Sequence, residues 1–91
     1  VPRFTNAITS LAAGNITRAH TTNREYTAEE LALVGLSSEE ELLCFDPQTS
    51  GGLLLSVSPV AVSALLEQVE GAIEIGRVVS RQSSLRMIIE R

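Results

Sequence analysis

The stretch that decides the fold is Asp46-Pro47-Gln48-Thr49-Ser50-Gly51-Gly52, followed at once by Leu53-Leu54-Leu55-Ser56-Val57. A short, nearly continuous apolar run after a set of turn residues is typical of a strand that is buried on both faces. The sequence therefore predicts a tight turn that leads residues 53–57 into the middle of a small sheet. We call residues 46–52 the glycine loop.

The glycine loop concentrates polar chemistry in one turn. Asp46 suits a turn because its carboxylate can accept from backbone N–H groups two or three residues on, while Pro47 fixes the backbone angle. The two glycines allow positive φ and leave backbone N–H groups unobstructed beside two hydroxyls, so the loop can hold an anion. The candidate phosphate-binding residues are Thr49, Ser50, Gly51 and Gly52. The structural alternative is that the glycines only let the chain turn tightly.

Other catalytic patterns are missing from the sequence. No Lys-Ser or Lys-Thr follows the glycines, so the loop is not a P-loop, and it leads into a strand rather than a helix, unlike a dinucleotide-binding loop. His20 and Cys44 are the single residues of their types and lie far apart, so they predict neither a zinc site nor a nucleophile-base pair. We expect His20 to be solvent-exposed or locally hydrogen-bonded, and Cys44 to pack as a small hydrophobic residue. No catalytic and no metal-ligating residue is predicted.

Short helices are expected on the N-terminal side of the glycine loop. Apolar residues at Phe4, Ile8 and Leu11 have helical spacing. Pro2 before them and Gly14 after them are start and stop signals. Residues 15–23 show little periodicity and predict a loop.

Two capping patterns follow. Residues 27–30 have the Thr-x-x-Glu form of a capping box and Gly35 would end a helix there, but the apolar residues are too few to decide. Residues 38–41 repeat the form with three acids in the first turn, where the helix dipole favours negative charge, so a helix from Glu39 to about Phe45 is expected. The three acids point in different directions and therefore predict a solvated helix start, not a metal site.

The C-terminal side predicts one helix and two further strands. Ser58 caps and Pro59 opens a helix that should end at Gly71. Its apolar stripe consists of Val62, Leu65, Leu66 and Val69. Residues 72–80 and 85–90 alternate in hydropathy and predict a β-hairpin.

The elements add up to an α+β fold class: a small mixed β-sheet with helices packed on one face and a C-terminal β-hairpin. If residues 53–57 and 72–80 pair in parallel, the helix between them forms a right-handed crossover. A chain of 91 residues is long enough for a single domain over residues 1–91.

Composition narrows the functional class. Aromatic residues make up only 3% of the chain, so the core must be built from smaller aliphatic side chains. The formal net charge of −4, without a lysine cluster, argues against a nucleic-acid partner. No apolar run reaches the roughly 20 residues that cross a bilayer, and no leader sequence opens the chain. We therefore expect a cytoplasmic protein with no membrane partner.

Residues 45–57 closely resemble the block near the C-terminal end of selenophosphate synthetases, also called selenide, water dikinases. Weaker matches run in the same order along the chain. The opening Val1-Pro2 and the helix over residues 7–14 look like a family helix that ends in Ala-Gly or Gln-Gly. Thr22-Asn23 is similar to an Arg-Asn segment, and residues 76–79 are similar to an Ile-Gly-Glu-Val ending. The resemblance covers nearly the whole chain, and its specificity rests on the glycine loop and the residues after it.

The resemblance implies that the chain is the C-terminal portion of a larger enzyme, within the domain related to aminoimidazole ribonucleotide synthetase. Such an enzyme uses ATP and Mg²⁺ to convert selenide and water to selenophosphate, AMP and phosphate, and it works as a homodimer. The family's catalytic cysteine or selenocysteine, its lysine, its nucleotide segment and its metal-binding aspartates belong to upstream regions, and none of those motifs is in this sequence. No catalytic role is therefore carried onto Cys44 or Asp46.

The implied role of this chain is structural. It would complete the α+β domain that packs against the upstream nucleotide-binding domain of the same chain and would help to close the active-site cleft. No cofactor is expected in this portion itself, and the isolated chain is expected to be inactive.

Two alternatives stay open at this point. Another member of the same superfamily, such as a hydrogenase-maturation or thiamine-phosphate kinase protein, is disfavoured by Thr49-Ser50-Gly51-Gly52; an upstream cysteine or selenocysteine followed by lysine would separate the two. A free-standing ferredoxin-like ligand-binding or dimerisation module would be favoured by a reading frame that begins near Val1.

Overall fold

The computed structural model describes residues 3–81 and 83–91. By its internal contacts the chain divides into two compact units. The outer unit combines the residues up to Thr49 with Arg81–Arg91, and the middle unit is Ser50–Ser80. Three residues lie outside the described ones: Val1, Pro2, which the sequence predicts as a helix start signal, and Gln82, in the expected hairpin turn. The prediction of a single domain over residues 1–91 stays a prediction.

The outer unit contains three helices and a two-stranded sheet. Its elements are α1 Ala7–Ala12, α2 Arg18–Thr27, β1 Leu31–Val34, α3 Ser38–Cys44 and β2 Met87–Glu90. Strands β1 and β2 pair in parallel, with Leu31 opposite Met87 and Val34 opposite Glu90. Helix α1 packs against α3. This arrangement confirms the α+β class, with a sheet that is parallel rather than mixed.

The buried core of the outer unit is small. Leu11 from α1, His20 from α2 and Phe45 at the C-terminal cap of α3 are buried. The amide Nδ2 of Asn23 donates to the carbonyl oxygen of Phe45 over 3.0 Å and so joins α2 to the end of α3. Because apolar burial here is limited, polar contacts between helices carry much of the tertiary order.

Helix α2 replaces the loop predicted over residues 15–23. Thr, Asn and His are weak helix formers, and their spacing shows no apolar stripe. The helix nevertheless forms because its contacts are tertiary: His20 is buried, and Asn23 bonds to the end of α3. For this segment, the low helix propensity of the residues therefore gave the wrong prediction.

Strand β1 lies in the segment after Thr27, where the sequence did not decide whether a helix forms. The short helix considered after Thr27 is not formed, and Leu31–Val34 is a strand followed by Gly35 with a φ of 69°. A four-residue apolar run does not distinguish a strand from a buried helical turn by itself. Pairing with β2 makes the choice.

The helices predicted at α1 and α3 are confirmed. Gly14 follows α1 with a φ of 83°. The capping box of α3 lies one residue earlier than expected: the Glu40 N–H donates to the Ser37 hydroxyl (3.2 Å), and the Ser37 N–H donates to the Glu40 carboxylate (3.0 Å). These reciprocal bonds satisfy two donors that a helix start leaves free.

The middle unit contains one short helical segment. A 3₁₀ turn at Pro59–Ala61 leads into α4, Val62–Gln68, and Gly71 follows with a φ of 78°. Ser58 occupies the cap position before Pro59, although its side chain makes no capping hydrogen bond. The helix predicted here is therefore confirmed.

The strands predicted in the middle unit are not formed. Residues 53–57 have no regular structure, and Leu53 is 90% exposed. Residues 72–80 are also irregular, so β2 pairs with β1 and the expected C-terminal hairpin and crossover do not arise among the described residues. A strand needs a neighbour for its backbone groups, and among the described residues neither apolar segment of this unit has one.

Candidate functional site

The glycine loop begins directly after α3. Thr49 is the last residue of the outer unit and Ser50 the first of the middle unit. All loop residues are exposed. At Gly52, a Cβ would meet nothing within 4 Å and φ is not positive. Packing and backbone strain therefore do not require glycine there, whereas the missing side chain leaves its backbone approachable, as anion binding needs.

Asp46 makes side-chain contacts that the sequence did not predict. Its Oδ2 accepts a long bond from Gln48 Nε2 (3.5 Å), and its Oδ1 lies 3.3 Å from His20 Nε2. The expected acceptance of backbone N–H groups within the turn is not seen among the described residues. Asp46 thus links the first residue of the glycine loop to helix α2.

His20 is the most buried polar residue of the described chain, at 3% exposure. The backbone N–H of Thr17, at the N-terminal cap of α2, donates to His20 Nδ1 over 3.0 Å. The local hydrogen bond expected for His20 is confirmed, while the alternative of solvent exposure is wrong. The signal that could have revealed this role is the spacing Thr17-x-x-His20, which places a histidine acceptor at the capping-box position.

The other ring nitrogen of His20 is poorly satisfied. Nε2 lies 3.3 Å from the Asp46 carboxylate, yet the contact does not have the geometry of a hydrogen bond, and Nε2 is a buried polar atom without a hydrogen-bond partner among the described residues. Buried polar groups are almost always hydrogen-bonded, so this atom stands out chemically.

Three residues on one face of α2 meet the end of α3. His20, Asn23 and Arg24 have the i, i+3, i+4 spacing that aligns side chains along a helix. Arg24 pairs with Glu41 over 2.6 Å, and its guanidinium lies 5.6 Å from the centre of the Phe45 ring. We call His20, Asn23, Arg24, Glu41, Phe45 and Asp46 the helix-end cluster. Sequence reasoning missed it because α2 was predicted to be a loop.

An open pocket of about 300 Å³ lies beside the helix-end cluster. Its lining includes Arg24, Glu41 and Phe45 from the cluster and Leu31 and Leu33 from β1. The charge of Arg24 is already paired with Glu41. The pocket therefore offers an anion no uncompensated positive charge.

The carboxylate of Glu40 accepts hydrogen bonds from three donors in the outer unit. The Ser37 N–H and the guanidinium groups of Arg3 (3.2 Å) and Arg91 (2.9 Å) donate to its carboxylate. The Ser37 backbone bond first, then the two arginines, lower the pKa of Glu40 to about 2. With three donors on it, this carboxylate connects Arg3 and Arg91 to the start of α3, so its role is structural.

Cys44 is exposed, so it does not pack as the small hydrophobic residue that the sequence predicted. Its Sγ donates to the Glu40 carbonyl oxygen over 3.3 Å. Desolvation of the thiol raises its pKa above the ordinary value, and the nearby carboxylates of Glu41 and Glu40 act in the same direction. A reactive thiol needs the opposite shift.

Comparison with known proteins supplies the family. The selenide, water dikinase of Bdellovibrio bacteriovorus is 46% identical over 86 residues, which are 90% of this chain and 25% of that protein. The enzyme of the same name from Nitrosomonas eutropha is 46% identical over 67 residues, 74% of this chain and 19% of its own. The one from Treponema denticola is 34% identical over 74 residues, 81% of this chain and 21% of its own. The match covers the C-terminal part of these relatives.

By sequence, this chain belongs with the C-terminal part of the selenide, water dikinases. The resemblance inferred from residues 45–57 is thus confirmed, although those residues do not form the buried strand expected of them. The chain spans about a quarter of the length of the first of these relatives. No family model and no solved structure matches it.

The described residues do not fit the Mg²⁺ that the selenide, water dikinase resemblance implies. Within residues 3–81 and 83–91, the His, Cys, Asp and Glu side chains nowhere gather in a set of three that could hold a metal ion. The chain contains no lysine; all seven of its Lys and Arg residues are arginines.

Among residues 3–81 and 83–91, no helix has the length and apolar character to cross a membrane.

Proposed function

We propose that this chain is the C-terminal part of an ATP- and Mg²⁺-dependent selenide, water dikinase that forms selenophosphate, AMP and phosphate. The 46% identity to the Bdellovibrio protein over 86 residues is the observation that carries the proposal. The catalytic nucleophile and the metal ligands lie upstream in this proposal, since Cys44 has a raised pKa and the chain has no lysine. A homodimeric parent enzyme in the cytoplasm belongs to the same proposal.

The role that we propose for the chain within this enzyme is to complete the domain that packs against the nucleotide-binding half and to help close the cleft. The middle unit has two largely exposed apolar segments without regular structure, residues 53–57 and 72–80. Leu53 and Val78 are 90% and 86% exposed. Large exposed apolar patches mark interaction surfaces, and unpaired extended backbone is a template for strand addition. Because the first relative is about four times longer than the match, the upstream part of the same chain is the proposed partner.

Hydrogen exchange tests this packing directly. Amides of residues 53–57 and 72–80 should exchange rapidly in the isolated chain and become protected by at least about tenfold in the full-length enzyme, because pairing takes backbone N–H groups out of water. The matched control is residues 62–68, which form α4 within this chain and should change less. Equal, rapid exchange of both apolar segments in the full-length enzyme would contradict the proposed packing.

Activity gives a second test. The isolated chain should show no selenide-dependent turnover of ATP with Mg²⁺, whereas the full-length enzyme should produce selenophosphate and AMP. Turnover of ATP by a clean preparation of the isolated chain would contradict the proposal that the catalytic residues lie upstream.

We further propose that the glycine loop binds phosphate through Thr49, Ser50, Gly51 and Gly52. Their exposure and the open space around Gly52 support it. In the full-length enzyme, Ser50→Ala should weaken ATP binding by about tenfold, the factor expected for one hydrogen bond to a charged group. Ser63→Ala, at an exposed position of α4, is the control and should leave the affinity unchanged. Equal affinities for the two variants would remove the Ser50 hydroxyl from the phosphate site.

A further inference from the structure

The tautomer of His20 follows from its contact with the helix start. Thr17 presents a backbone N–H, which can only donate, to His20 Nδ1 at 3.0 Å. Nδ1 must therefore accept and carries no proton. In a neutral imidazole the proton is then on Nε2, which faces the Asp46 carboxylate.

The Nε2–H group needs an acceptor, and Asp46 is placed to supply it. Within residues 3–81 and 83–91 the buried Nε2 has no hydrogen-bond partner, while Asp46 Oδ1 is only 3.3 Å away. The His20 side chain is 2% exposed and held at Nδ1, whereas the Asp46 side chain is 40% exposed. The more exposed carboxylate has the freedom to rotate toward Nε2 and complete the bond.

We propose that His20 is a positioning residue for the glycine loop: its buried Nε2–H donates to Asp46 and fixes the carboxylate that starts the loop. This inference rests on the proposed phosphate-binding function of the loop. Asp46 directly precedes Pro47, whose backbone angle is already restricted, so holding Asp46 orders the chain toward Thr49. Helix α2 thereby sets the geometry of a loop distant from it in sequence.

Two substitutions at position 20 separate the contacts of the ring. The amide oxygen of Asn can occupy the place of Nδ1 and keep the Thr17 bond, but Asn cannot reach Asp46. The amide nitrogen of Gln can occupy the place of Nε2 and keep the donor to Asp46. In the full-length enzyme, His20→Asn should therefore loosen the loop, while His20→Gln should preserve its order even if it lowers the melting temperature.

The experiment measures amide exchange of Gln48 and Thr49 together with KM and kcat for ATP. His20→Asn and Asp46→Ala should each speed exchange and raise the KM by about tenfold, as expected for losing a hydrogen bond to a charged group. His20→Gln should stay within about twofold of the wild type in both. The double variant His20→Asn with Asp46→Ala should show no further loss, because the residues act through one contact.

The results distinguish the contact of His20 with Asp46 from phosphate binding by the glycine loop. Faster exchange of Gln48 and Thr49 with an unchanged KM would support the His20 contact and remove phosphate binding from the loop. Equal exchange in His20→Asn and His20→Gln, or additive effects in the double variant, would overturn the positioning role.

Discussion

Replacing Phe45 by alanine should remove much of the stability of the outer unit. Phe45 is 5% exposed at the end of α3, where its ring contacts Arg24 and its carbonyl accepts from Asn23. The chain contains one other phenylalanine, Phe4, which is 88% exposed. The same chemical change can therefore be made once inside the core and once at the surface.

Phe45→Ala and Phe4→Ala should lower the free energy of unfolding by very different amounts. Replacing a buried Phe by Ala costs roughly 3–5 kcal/mol, and the open pocket next to Phe45 lets neighbours and water adjust, so about 3 kcal/mol is expected. Phe4→Ala should stay within about 0.5 kcal/mol, as surface substitutions do. Since a chain of this size is expected to have about 5 kcal/mol of stability, the Phe45 variant keeps roughly 2 kcal/mol and still folds.

Urea unfolding followed by far-ultraviolet circular dichroism measures the difference. With a slope of about 1 kcal/mol per molar urea for a small unit, the unfolding midpoint of Phe45→Ala should lie about 3 M below that of Phe4→Ala. Both slopes should match the wild type, which shows that the same surface is exposed on unfolding. Equal midpoints for the two variants would mean that Phe45 is not a core residue and would refute the packing of α2 against α3.

Three further predictions concern α3. Ser37→Ala should lower the free energy of unfolding by about 1 kcal/mol in the same urea assay, and Ser38→Ala by much less, because only Ser37 caps the helix. The lowered pKa of Glu40, about 2, means that its stabilising effect is complete above its ordinary pKa of 4.5 and is lost as the pH falls through 2. Glu40→Gln should therefore flatten the fall of melting temperature in acid; an unchanged slope would contradict the contacts of Glu40 with Ser37 and the two arginines. The raised pKa of Cys44 predicts that iodoacetamide alkylation rises at a higher pH in the folded than in the unfolded chain, and coincident pH profiles would disprove it.

Local signals in the sequence were reliable where their physics is local. The stop at Gly14, the acidic start of α3, and the order Ser58-Pro59 before α4 each depend on hydrogen bonds or backbone angles within one turn. The family resemblance of residues 45–57 also needed no structure, since it rests on the order of the residues alone. The capping box of α3 was misplaced by one residue because Ser37 and Ser38 are equally good caps.

Long-range contacts decided the rest. The pairing of β1 with β2 and the approach of His20 to Asp46 join residues distant in sequence, and no local pattern encodes them. The apolar character of residues 53–57 led to the wrong prediction of a buried strand, because a strand needs a neighbour to pair with and within its own unit this segment has none. The amino-acid order thus specified the family and the helix stops at Gly14 and Gly71, whereas tertiary contacts selected which segments became α2, β1 and the core, because burial and pairing free energies arise only when distant residues meet.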